Sequence, residues 1–140
     1  MKIFSKYFTT LFGIGLISFA PGTFGSLIAI FIWYAFVNVF SIFYFIVLFL
    51  FILSVSFYFT DIYLENYRKK DPSEVVIDEF LGQSIPLLFM VNFNMYEVLI
   101  AFVTFRFFDI YKIYPINKME DFKGSYGVIL DDIVAGIYSL

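Results

Sequence analysis

From Tyr7 to Thr60 the chain runs for 54 residues without one Asp, Glu, Lys or Arg. A bilayer-crossing helix needs roughly 20 apolar residues, so this tract alone holds enough for two spans and a remainder. A water-soluble domain of 140 residues has no interior large enough to bury it. Composition points the same way: 61% of residues are apolar and only 15% are charged. Soluble domains carry about 45 to 50% apolar and about 25% charged residues. The expected fold class is all-α, a compact integral-membrane helical domain with its polar segments on the cytoplasmic face. Residues 1–140 read as a single domain, with no internal repeat and no low-complexity linker.

The nine basic residues fall at Lys2, Lys6, Arg68, Lys69, Lys70, Arg106, Lys112, Lys118 and Lys123, and define polar stretches 1–6, 61–79 and 106–132. Eleven of the twelve acids share the second and third stretches, with Glu97 the exception. The positive-inside rule puts all three stretches in the cytoplasm, so an even number of crossings must separate them. Turns at Asn38 to Ser41 and at Asn92-Phe93-Asn94 divide each apolar block in two. Ile42 to Thr60, 19 uninterrupted residues, reads as one helix, with Phe24 to Val37 as its shorter antiparallel partner. In the second block the legs Phe80 to Val91 and Met95 to Phe105 measure only about 18 and 17 Å, against roughly 30 Å of hydrocarbon. They either lengthen into their polar flanks or form a re-entrant hairpin, and the pattern leaves both open. Residues 1–20 resemble a secretory signal, but Pro21 directly after Ser18-Phe19-Ala20 argues against cleavage.

The absence of Cys and His removes disulfides, thiolate nucleophiles, Ser-His-Asp triads, phosphohistidine and histidine-zinc centres. No long basic run exists to bind nucleic acid, so no nucleic-acid partner is expected. Any chemistry must use carboxylates, amines, hydroxyls, backbone amides and a hard cation.

Four segments carry such groups. In Ala20-Pro21-Gly22-Thr23-Phe24-Gly25-Ser26, Thr23 suits an N-cap and the helix start suits a phosphate, although for this segment alone a plain capped turn between two membrane helices is the favoured reading. In Asp71-Pro72 to Gln83, a helix starting at Pro72 with Asp71 capping would bring Asp78 and Glu79 to the membrane edge. Two adjacent carboxylates there either reach water or share a divalent cation, and oxygen ligands favour magnesium, calcium or manganese. Arg106, Asp109 and Lys112 step by three along one helix side, as a self-satisfied ion row or as a phosphate and metal site. Asp131 and Asp132 stand inside an apolar helix, with Gly136 one turn beyond Asp132 permitting close approach of another helix.

Taken together and in this order, the four segments resemble the phosphatidylglycerophosphatase A family. The matching elements are Pro21-Gly22-Thr23-Phe24-Gly25-Ser26-Leu27, Val76-Ile77-Asp78-Glu79-Phe80-Leu81-Gly82, Phe105 to Lys112 with Pro115-Ile116, and Gly124 to Gly127 followed by Asp131-Asp132-Ile133-Val134-Ala135-Gly136. Two departures are Ile113, where the family usually has Pro, and a final helix that is expected to be short because only four residues follow Gly136. The resemblance implies an all-helical enzyme of the bacterial inner membrane, active site facing the cytoplasm. It would remove the terminal phosphate from phosphatidylglycerophosphate, using Mg²⁺, to give phosphatidylglycerol.

On that basis Asp78, Glu79, Asp109 and Asp132 are expected as metal ligands or water-orienting groups, with Asp131 as a further catalytic acid. Arg106, Lys112 and Lys123 are expected on phosphate oxygens, and Thr23 and Ser26 assist through hydroxyls and helix-end amides. A metal-activated water and an aspartyl phosphate both remain open. The competing reading from another class is a non-catalytic membrane cation-binding or transport protein using the same acids.

Overall fold

The computed structural model describes residues 1–67 and 72–140. They form, in order, α1 (Lys2–Thr9), a 3-10 turn (Ile14–Leu16), α2 (Pro21–Val39), α3 (Ile42–Tyr67), α4 (Ile77–Leu87), α5 (Met95–Tyr111), α6 (Ile116–Met119) and α7 (Ser125–Tyr138), with no strand among the described residues. The all-helical expectation therefore holds.

Two helices are long and apolar enough to cross a membrane: α2 with 19 residues and α3 with 26. At about 1.5 Å per residue they reach about 28 and 39 Å. Their outward faces are apolar, with Phe31, Tyr34, Phe43, Leu50 and Phe51 exposed. Such a surface suits hydrocarbon and would drive aggregation in water. Two exposed polar side chains on these helices bond back to their own backbone: Asn38 Nδ2 donates to the Tyr34 carbonyl and Ser54 Oγ to that of Leu50, both at 2.7 Å.

The interior is built around α4, where every residue except Glu79 is buried. It packs against α2 and α7, with α5 alongside. With 11 residues it is about 16 Å long and does not cross a bilayer. Pro86 ends it, and the chain turns through a hairpin held by Trp33 Nε1 donating to the Met90 carbonyl at 3.2 Å. Asn94 then caps α5 by accepting from the Tyr96 amide at 3.1 Å. Helix α5 continues six residues past Phe105, to about 26 Å, and is not one of the two helices long and apolar enough to cross. The 14-residue α7 is about 21 Å long.

The starts of two helices differ from the sequence expectation. Helix α2 starts at Pro21, with Ala20 rather than Thr23 as N-cap, because proline's fixed φ and missing donor suit the first helical position. Helix α4 starts at Ile77 rather than Pro72, and the expected cap Asp71 lies outside the described residues. Residues 72–76 instead form a turn, with the Val76 amide donating to the Thr9 carbonyl at 2.9 Å. The signal-like N-terminus holds α1 and the 3-10 turn. Positive φ at Leu11, Phe12 and Gly13 bends the chain after α1, and Gly15 then sits against the Glu74 carbonyl.

Candidate active site

Two glycines decide where the acids meet. Gly82 and Gly136 each lie one helical turn beyond an aspartate, Asp78 and Asp132 respectively. A Cβ on Gly136 would strike the Gly82 carbonyl, and one on Gly82 would strike both the Phe105 ring and the Asp132 carbonyl. Helices α4 and α7 therefore cross with their backbones in contact, and the aspartates one turn back are brought side by side. A second close approach adds Glu79: a Cβ on Gly22 of α2 would strike its carboxylate, and Gly25 packs on its Cβ. The glycines of the Pro21 to Ser26 segment thus make room for Glu79.

The result is a triad. One carboxylate oxygen from each of Asp78, Glu79 and Asp132 lies within 4.8 Å of the other two. They face a cavity of about 800 Å³ whose walls also carry Arg106, Asp109, Lys112, Lys123 and Asp131. Asp109 and Asp131 are each paired with a cation. Arg106 Nη1 meets Asp109 Oδ2 at 2.5 Å, and Lys112 Nζ meets Asp131 Oδ2 at 2.8 Å. Lys112 is not part of a helical stripe, because α5 ends at Tyr111 and Lys112 takes a left-handed conformation. Its ammonium also donates to Glu120, at the cavity rim. Lys123 lies exposed on the rim.

Thr23 and Ser26 do not line the cavity. Ser26 Oγ donates to its own helix's Gly22 carbonyl at 3.0 Å, and the Thr23 and Phe24 amides both donate to Ala20. Most of the helix-end amides that the sequence offered to a phosphate are therefore already engaged.

The carboxylates of α4 and α7 lie outside the two candidate spans and are short of solvent. Burial raises the Asp78 pKa well above the usual carboxylate range, and the neighbouring Glu79 charge adds to this. Burial pushes Glu79 up to about 7 against the opposing effects of a hydrogen bond with Asp78 and the Arg106 charge. Burial also raises Asp132, as do the charges of Asp109, Asp78 and Glu79. Burial would lower the Lys112 pKa, but its bonds to Asp131 and Glu120 prevail and hold the ammonium charged.

This donor set fits a hard divalent cation. All ligand atoms are carboxylate oxygens, their mutual repulsion is only partly offset by the Arg106 charge, and Glu79 Oε2 is buried with no hydrogen-bond partner. Arg106 Nε, likewise buried and unpartnered, offers a donor to an anion beside them.

Sequence reasoning missed two participants. Glu120 lay in a charged loop with no periodic signal. Asp61, on α3, accepts from the Ser125 amide at 2.7 Å across 64 residues of chain, a pairing no local pattern reveals. The role of Gly82 was also missed, although its place four residues beyond Asp78 repeats the spacing of Asp132 and Gly136 and could have signalled it.

The family model for phosphatidylglycerophosphatase A matches residues 7–140. A Bacteroides thetaiotaomicron protein named provisionally as a phosphatidylinositol-3-phosphatase is 43% identical, over 93% of this chain and 85% of its own length. Phosphatidylglycerophosphatase A of Haemophilus influenzae is 31% identical over 92% of this chain and 80% of its own. The Escherichia coli protein of the same name is 35% identical over 91% and 74%. No solved structure matches the chain.

Proposed function

The chain belongs to the phosphatidylglycerophosphatase A family and is a lipid phosphatase, and from that premise we propose that it hydrolyses the terminal phosphomonoester of phosphatidylglycerophosphate with Mg²⁺, releasing phosphatidylglycerol. The observation that carries the reading is the convergence of Asp78, Glu79 and Asp132 beside Arg106 and Lys112 in one cavity. Three acids without a cation, or two cationic groups without an acid cluster, would not suggest phosphoryl chemistry. Residues 1–140 work as one domain in this reading, at the inner membrane of a bacterium, with the cavity open to the cytoplasm.

Asp78, Glu79 and Asp132 would hold Mg²⁺, which when bound supplies charge neutralisation and Lewis acidity. Arg106 and Lys112 bind phosphate oxygens from fixed positions, because Asp109 and buried Asp131 hold their heads in place. Glu120 is exposed, so its bond to Lys112 is the one an incoming phosphate oxygen displaces. Lys123 steers the dianionic headgroup at the rim. Thr23 and Ser26 serve from behind the wall, by shaping the α2 start that seats Glu79.

The Bacteroides relative favours one other substrate, phosphatidylinositol 3-phosphate, whose phosphomonoester presents the same charge to the same groups. Turnover of the two lipids side by side by purified protein in mixed micelles tests both. Higher kcat/KM on phosphatidylglycerophosphate supports the proposal, and higher kcat/KM on the inositol lipid transfers it to that substrate. Phosphate release from neither contradicts both and favours a cation-binding or transport protein.

A further inference from the structure

Helix α7 carries Asp132, yet it supplies no cap of its own, since Gly124 at the N-cap has no side chain. The acceptor comes from α3. Asp61 Oδ1 accepts from the Ser125 amide at 2.7 Å, and a Cβ on Gly124 would lie 2.7 Å from that same oxygen. Glycine is required here twice over, for this approach and for its φ of 66°. One turn earlier on α3, the Phe57 ring packs on Tyr126 with centroids 4.9 Å apart. The first turn of α7 is thereby fastened to the long apolar helix at two adjacent points. A carboxylate at this end also complements the helix dipole.

We propose that Asp61 is a positioning residue: by capping α7 from α3, it sets the height at which Asp132 meets Asp78 and Glu79. Asp61 does not line the cavity and acts only through α7. Asp132 lies seven residues beyond Ser125, or about 10 Å along the axis, so a slip or tilt of the first turn is carried directly to its carboxylate. The triad tolerates little displacement, because one oxygen from each acid must reach a common ion. The inference rests on the metal-dependent reading above.

Asp61→Asn keeps an acceptor oxygen and Asp61→Ala does not. Each full-length variant, purified in detergent, is titrated with Mg²⁺ twice. The first readout is the rise in unfolding temperature without substrate; the second is phosphate release from phosphatidylglycerophosphate. In Asp61→Ala both midpoints move to about tenfold higher Mg²⁺ or more, the size typical of losing a group that orients a ligand. The KM for lipid stays near the parent value, and Asp61→Asn recovers most of the shift. A purely structural cap would lower the starting unfolding temperature and leave the Mg²⁺ midpoints alone. Should Asp61→Ala fail to fold, Ser125→Pro deletes the partner N–H at a position where proline is tolerated, and the same shift is expected. Parent-like midpoints in Asp61→Ala or Ser125→Pro, or an Asp61→Asn variant as shifted as Asp61→Ala, overturn the inference alone. A parent protein indifferent to Mg²⁺ in both readouts overturns the metal reading and this inference with it.

Discussion

Asp78 and Asp132 sit almost without solvent, at 8% and 4% exposure, in a place where an unpaired charge is costly. Buried acids of this kind are kept either as protonated packing groups or as ligands, and the two roles respond differently to Asp→Asn. Amide replacement retains volume and hydrogen bonding, so packing groups tolerate it. If the acids hold a metal, Asp78→Asn and Asp132→Asn should each lower phosphate release by about 10²-fold or more. Glu97→Gln serves as the control, since Glu97 is exposed and its contact is with Asn94 at the start of α5. Folding of each variant is checked by gel filtration and unfolding temperature, and parent-like turnover in both Asp variants would contradict the ligand role.

The position of Glu79 near pH 7 adds a pH signature. Below that pH a cation must displace a proton from Glu79, so the Mg²⁺ needed for half-maximal activity should rise as pH falls from 7 to 5, by at least about tenfold per pH unit because Asp78 and Asp132 are raised as well. The stability effect has the opposite sense. A carboxyl that is harder to ionise when folded favours the folded state while protonated, and that contribution is lost as pH rises from its ordinary range through about 7. In chelator, unfolding temperature should therefore fall as pH rises over that window, and Mg²⁺ should restore it. A pH-independent Mg²⁺ requirement would contradict the assignment of Glu79 as a ligand.

At the scale of elements, the crossing of α4 and α7 is what turns separated acids into a site. Gly136→Ala places a Cβ against the Gly82 backbone, which has no rotamer by which to move aside. A cost of about 1–3 kcal/mol in stability and a loss of activity are expected together. An unchanged unfolding temperature and unchanged turnover would show that the helices are not in backbone contact. This crossing was half legible: the role of Gly136 followed from its place one turn beyond Asp132, but its partner did not. The starts of α3 and α5 were readable because Ile42 and Met95 directly follow polar turns. The start of α4 was not, because residues 72–76 are held by Thr9 and by Tyr63, whose hydroxyl donates to Glu74 at 2.9 Å. Such long-range bonds override a helix-start signal built on Pro72. Similarly, Lys112 was read as a third member of a helical row, whereas its bonds to Asp131 and Glu120 draw it past the helix end.

For the molecule as a whole, the two apolar helices and the family agree on a membrane protein, one of whose cavities gathers acids and cations from α4, α5, α7 and the loops between them. In the proposed reading a lipid's phosphate would enter that cavity while its chains stay in hydrocarbon. If that cavity opens to the cytoplasm, a single cysteine replacing exposed Lys118 should resist an impermeant thiol reagent in intact cells and react in inverted vesicles. The chain has no native cysteine to confuse the readout. Labelling from outside would reverse the orientation.

The most direct test of the central claim is phosphate release from phosphatidylglycerophosphate by the purified full chain, measured with Mg²⁺ and again in excess chelator. The account predicts steady release with Mg²⁺, loss of release in chelator and recovery when Mg²⁺ is restored. Undiminished release in chelator, or none with Mg²⁺, would contradict it.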